Sequence, residues 1–117
     1  MMYIDFVAGD KTYKLRMNTR SVVALERQLG CNPLAIFGTD GDKIPTVEVM
    51  VAILHASLQQ YNHGVTLNDA YDIFDKWLED GNNTVDFINT ILEIYKASGI
   101  VPKDIETQAE VNTIEKN

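Results

Sequence analysis

Two short stretches near the start of the chain alternate apolar and polar residues. Residues 3–8 and 12–17 flank Gly9-Asp10, and Ile4, Phe6, Tyr13, Leu15 and Met17 can share one side of the pleat. This predicts a β-hairpin whose apolar face turns inward. The period then changes from two to three and four. Asn18 or Thr19 offers a capping oxygen, Val22, Leu25 and Leu29 recur at helical spacing, and Gly30 provides a left-handed exit, so a helix is expected over residues 19–29. Asn32-Pro33 has the form of a cap followed by proline at the first helical position. Leu34, Ile36 and Phe37 then make one short apolar turn before a Gly- and Asp-rich loop over residues 38–45.

Three longer helices are expected after that loop. Thr46 can cap the first of them, in which Val47, Met50, Val51, Leu54, Leu58 and Tyr61 form one stripe and Val49, Ile53 and Ala56 a second, up to Gly64. A helix apolar on two sides belongs at the centre of a domain. Thr66 and Asp69 have capping-box spacing and open a helix in which Leu67, Ala70, Tyr71, Phe74, Trp77 and Leu78 oppose Asp69, Asp72, Asp75, Lys76 and Glu79, closing near Gly81. In the last helix, capped by Thr84, the stripe Val85, Ile88, Ile91, Leu92 and Tyr95 is expected to face the core, with Phe87 and Ile94 off it and Gly99 at the exit. The expected fold is mainly α: an N-terminal β-hairpin, then a compact bundle of about four helices with a short turn helix. Residues 1–100 form one domain, and residues 101–117 are expected to be a polar, flexible C-terminal tail.

Composition narrows what such a domain does. With 45% apolar and 23% charged residues over 117 positions, the chain has the balance of a globular protein with one modest core. Its net charge of -7 repels phosphate backbones and anionic lipids, so neither nucleic acid nor membrane is an expected partner. The charge is uneven: residues 1–27 carry five basic and three acidic side chains, net +2, which leaves -9 for the remainder. A split of this kind can orient the molecule on a partner or on a second copy. The single cysteine, Cys31, forms no intrachain disulfide, and the N-terminus lacks the charged and apolar regions of a secretion signal, so a cytoplasmic location is expected.

The residues that could carry chemistry do not assemble into a catalytic pattern. His55 and His63 stand eight apart, with neither HExxH spacing nor a cysteine cluster, and read as a partly buried and an exposed histidine. Asp40 and Asp42 suggest the start of a calcium loop, but the twelfth position is Val51 where a glutamate is needed. Asp69, Asp72 and Asp75 mark a solvated helix face, and Cys31 lacks a nucleophile context. Arg16, Arg20 and Arg27 raise the possibility of a DNA-binding helical protein, but the later helices offer a recognition surface only Lys76 among several carboxylates. No enzyme activity, cofactor or metal is expected.

Three segments taken together resemble a known family. The hairpin ending in Tyr-Lys-Leu-Arg-Met-Asn-Thr-Arg, the helix Val-Val-Ala-Leu-Glu-Arg-Gln-Leu-Gly over residues 22–30, and the Asn32-Pro33-Leu34 turn are similar to those of tail assembly chaperones of long-tailed, siphovirus-type phages and prophages of Gram-positive bacteria. The similarity continues through residues 53–61 and 72–78 and covers about residues 3–100. The resemblance implies a non-catalytic morphogenesis factor in the host cytoplasm that binds the long helical tape measure protein and keeps it soluble. It also implies a longer frameshifted form that recruits the tail tube protein. A structural component such as a head-tail connector, or a small DNA-binding regulator, are the alternative readings. A holding protein needs apolar surface beyond its core, and Val49, Ile53, Ile73, Phe87 and Ile94 are the candidate partner-binding positions because they lie off, or at the edge of, the main stripes.

Overall fold

A computed structural model of the chain describes residues 2–104. Strands β1 (Ile4–Ala8) and β2 (Lys11–Leu15) pair antiparallel with Phe6 opposite Tyr13 and Ile4 opposite Leu15. Gly9, with φ of 64°, takes the first central position of the two-residue loop, where a hairpin turn of the II′ kind requires positive φ. Phe6, Ala8, Leu15 and Met17 are buried on the inner face, with Ile4 and Tyr13 packed beside them, as the alternation predicts.

The hairpin does not stand alone, and a two-stranded sheet needs such support. On the outer edge of β2, the Arg16 N–H donates to the Ser57 carbonyl at 2.9 Å and Asn62 Nδ2 donates to the Lys14 carbonyl at 3.2 Å. The Gly9 N–H donates to Asp80 Oδ2 at 2.8 Å, which ties the hairpin turn to a loop between helices. Arg16 Nε also reaches the Ala97 carbonyl at 3.2 Å, and the Met17 N–H donates to Ser98 Oγ at 2.9 Å. A cation at the last carbonyls of a helix is favoured by its dipole.

Helix α1 (Thr19–Leu29) is capped by Asn18, whose side chain accepts from the Ser21 N–H, and it leaves through Gly30. A short 3-10 helix (Pro33–Phe37) follows, capped by Asn32. Helix α2 (Val47–Leu58), capped by Thr46, is the centre of the domain: it touches α1, β2 and the two helices that follow, and from Met50 to Leu58 only His55 escapes full burial. It ends at Leu58, six residues before the expected stop at Gly64, so Tyr61 lies outside it. Past Leu58 the Asn62 N–H still makes an i→i−4 bond to the Leu58 carbonyl, while the side-chain amides of Gln59 and Asn62 bond the carbonyls of His55, Val65 and Leu58 as the chain turns away.

Helix α3 (Leu67–Glu79) begins with the capping box read from Thr66 and Asp69, both bonds of which form. Helix α4 (Thr84–Ser98) is capped by Asn83, one residue earlier than expected, in a second capping box with Asp86. Its core-facing stripe also differs from the expected one. Phe87, Ile91, Ile94 and Tyr95 are buried, whereas Val85 is 63% exposed and Ile88 and Leu92 are only half-buried. Phe87 is drawn in by three rings from two other elements, β1 and α3, at centroid distances of 6.0 Å to Phe6, 5.1 Å to Phe74 and 5.4 Å to Trp77. Farther along α4, the buried Tyr95 hydroxyl donates to the Pro33 carbonyl at 2.9 Å. The expected tail falls outside the described residues from position 105 onward.

Candidate functional site

The five positions proposed from sequence as partner-binding do not come together on a surface. Ile53, Phe87 and Ile94 have no exposure and Ile73 has 7%. All four belong to the core, because helices packed on two sides bury both of their apolar stripes. Only Val49 reaches a concave surface, half-buried near the start of α2.

That surface is a seam over α2, flanked by α1 and α3. At one end is a cleft of about 270 Å³, bounded by Gln28 and Leu29 of α1, Glu48, Val49 and Ala52 of α2, and Leu67 and Tyr71 of α3. At the other is a cleft of about 220 Å³ between Arg20, Ser21 and Ala24 of α1 and His55, Ala56 and Gln59 at the end of α2, with Leu25 beneath. Gln28 borders both clefts. At 100° per residue, Glu48, Val49, Ala52, His55, Ala56 and Gln59 fall within an arc of about 120°. The two clefts therefore follow a single face of α2.

Local sequence explains why this face is open. Ala24, Ala52 and Ala56 stand where larger side chains would fill the space above α2. Leu67 and Tyr71 open α3 with 37% and 39% of their surfaces exposed along the rim. The ends differ in charge. Glu48 lies in the first turn of α2, where a carboxylate is favoured by the helix dipole, and Arg20 lies in the first turn of α1 at the far end. Residue-by-residue reading missed the seam because it sought large apolar side chains. Its available signal was the pair of alanines Ala52 and Ala56, on the same face as Val49.

The remaining polar groups have structural roles or face solvent. Asp69, Asp72 and Asp75 are exposed along α3. The Thr66 N–H donates to the Asp69 carboxylate at 2.9 Å, and this bond, with a smaller contribution from the Thr66 hydroxyl, holds Asp69 below its ordinary pKa. Burial, with a smaller effect from Cys31, raises the Tyr95 phenol well above its ordinary value. Cys31 is exposed, His63 is exposed, and His55 is half-buried at the seam. Among the described residues, no group of three His, Cys, Asp or Glu side chains could hold a metal, and no helix is long and apolar enough to cross a membrane.

No curated protein and no solved structure gives a significant match to the chain. A family match spans residues 5–116, from the second residue of β1 to beyond α4. The chain belongs to the family of unknown function DUF6096.

Proposed function

We propose that this protein is a tail assembly chaperone of a long-tailed phage or prophage, which binds the helical tape measure protein in the host cytoplasm and keeps it soluble during tail morphogenesis. The observation that carries this reading is the seam over α2: its Arg20 end is mainly apolar over Ala24, Leu25 and Ala56, while its Glu48 end is more polar, with Gln28 and Glu48 beside Val49 and Ala52. Such a groove suits the apolar face of an amphipathic helix, while the rim keeps the free protein hydrated. The resemblance of the hairpin, α1 and the Asn32-Pro33-Leu34 turn to that chaperone family supports the same reading. A longer frameshifted form would add the part that recruits the tail tube protein.

Co-expression with a tape measure protein of a long-tailed phage, or with a helical fragment of one, tests the proposal. A fragment that is insoluble alone becomes soluble and co-purifies with this chain. Equal soluble yield with and without this chain overturns the reading, and retention of the chain in finished particles would instead identify a structural component.

A further inference from the structure

The two outer edges of the hairpin have opposite surroundings. Across a two-residue loop, Ala8 and Lys11 form a hydrogen-bonded pair, so Phe6 with Tyr13 and Ile4 with Leu15 are bonded too. Asp5 and Val7 therefore turn their main-chain N–H and C=O groups away from β2. The edge of β2 is occupied, with the Arg16 N–H bonded to Ser57 and the Lys14 carbonyl to Asn62. On the edge of β1, Asp80 holds the Gly9 N–H, but the main-chain groups of Asp5 and Val7 have no partner among the described residues. Both residues are exposed. Apart from Asp5, the segment Ile4–Ala8 carries none of the charges, prolines or bulges that guard a free edge.

We propose that this edge pairs with the same edge of a second copy, antiparallel about a twofold axis, so that two hairpins form one four-stranded sheet. One register suits it. Asp5 opposite Asp5 would set two carboxylates side by side, and Val7 opposite Val7 would call on the Gly9 N–H that Asp80 already holds. Asp5 opposite Val7 of the second copy avoids both, and the twofold repeats its pair of main-chain bonds. The ends are complementary as well. Asp80 stands at the Gly9 end of the edge, and Lys103 Nζ, 3.7 Å from the Met2 sulfur, at the other. The twofold turns each Asp80 toward the second copy's Lys103, which opposes the general repulsion between two chains of net charge -7. The pairing is independent of the chaperone reading.

The chain's own terminus fits the edge poorly. It departs from Lys103 beside Met2, and a course from there along β1 runs parallel to that strand. With α3 and α4 on the inner face and β2 on the opposite edge, the chirality of L-residues makes that connection a left-handed crossover, against the strong right-handed rule. To run antiparallel, the segment would first have to travel the length of β1 and turn back. A strand of another protein gains the same main-chain bonds, but the second copy also brings a strand of the same five residues with the opposite charge at each end.

Sedimentation of the full chain between about 10 μM and about 1 mM should show a monomer–dimer equilibrium. Over the same range, hydrogen exchange followed by NMR should show the Asp5 and Val7 amides gaining roughly tenfold protection. Val7→Pro removes an edge donor without touching the bonds to β2 and should abolish the dimer. Thr12→Pro, opposite Val7, removes the equivalent donor from the other edge and should leave the dimer unchanged. Lys103→Glu should weaken the dimer roughly threefold, a difference that about 0.5 M salt should narrow. Circular dichroism verifies that each variant folds, and the exchange measurement on the unaltered chain stands without them. A monomer up to about 1 mM, equal effects of Val7→Pro and Thr12→Pro, or insensitivity to Lys103→Glu overturns the proposal. Protection of the Asp5 and Val7 amides in a monomer, unchanged with concentration, also overturns it and assigns the edge to residues 105–117.

Discussion

The two sides of α3 are built on opposite principles. Toward β1 and α4, its Phe74 and Trp77 interlock with Phe6 and Phe87 at centroid distances of 5.1 to 5.5 Å, leaving the four rings buried. Toward α1, its Leu67 and Tyr71 overhang a cleft floored by the smaller side chains Val49 and Ala52 beside Leu29. Large side chains close one side and small ones leave the other open. Close packing and open surface are thus assigned to different faces, so changes at the open side should leave the packed side's contribution to stability almost untouched.

The sharpest way to break this division is Phe87→Ala. Removing a fully buried ring from the aromatic cluster should lower stability by about 3 to 5 kcal/mol in chemical denaturation. A loss below 1 kcal/mol would mean that the cluster is not what holds α3 and α4 to the hairpin. Tyr95→Phe should cost about 1 to 3 kcal/mol, because the Pro33 carbonyl loses its buried donor. It should also change alkaline behaviour. The unfolded chain releases the Tyr95 proton near its ordinary value while the folded chain retains it, so wild-type stability contains a component that is full below about pH 10 and falls as pH rises beyond it. Denaturation at pH 9 and 11 should show a shallower decline in Tyr95→Phe.

Thr66→Ala should cost about 1 kcal/mol by removing the cap of α3. The Asp69 half of the same box has the opposite pH sense: its pKa is lowered on folding, so its contribution is present above the ordinary carboxylate value and lost as pH falls through the folded one. Asp69→Asn should flatten that part of the acid-side stability profile. Ala24→Trp should change stability by no more than about 0.5 kcal/mol, since it extends from the surface over the seam. A larger loss would show that the seam is part of the packed core.

Whatever depended on neighbours in sequence was readable before any tertiary contact was known. The hairpin around Gly9-Asp10, the Asn18, Asn32, Thr46 and Thr66 caps, and the exits at Gly30 and Gly99 all rest on local chemistry. The facing of α4 does not. Residues 85, 88, 92 and 95 and residues 87, 91, 94 and 98 are two ladders of similar spacing, and only Phe6, Phe74 and Trp77, contributed by other elements, select the second for Phe87. The end of α2 was hidden as well: the apolar repeat runs on to Tyr61, whereas in the fold the Asn62 amide joins the Leu58 carbonyl to the Lys14 carbonyl of β2, a contact between segments far apart in sequence. The seam was the least legible feature. Ile53, Ile73, Phe87 and Ile94 drew attention as apolar surplus, yet they are the core, and the open surface is created by side chains too small to attract notice.

The bonds that fasten the hairpin also set a timetable for synthesis. The Met17 N–H is satisfied by Ser98, 81 residues further along the chain. At ~5 to 20 residues per second, the ribosome needs roughly 4 to 16 s to supply that partner. During this interval α2 and α3 become available to Phe6, Leu15 and Met17, but the share of cover that α4 provides is still missing. The hairpin is therefore made well before its packing is complete, and part of its apolar face waits in the nascent chain until α4 has been made.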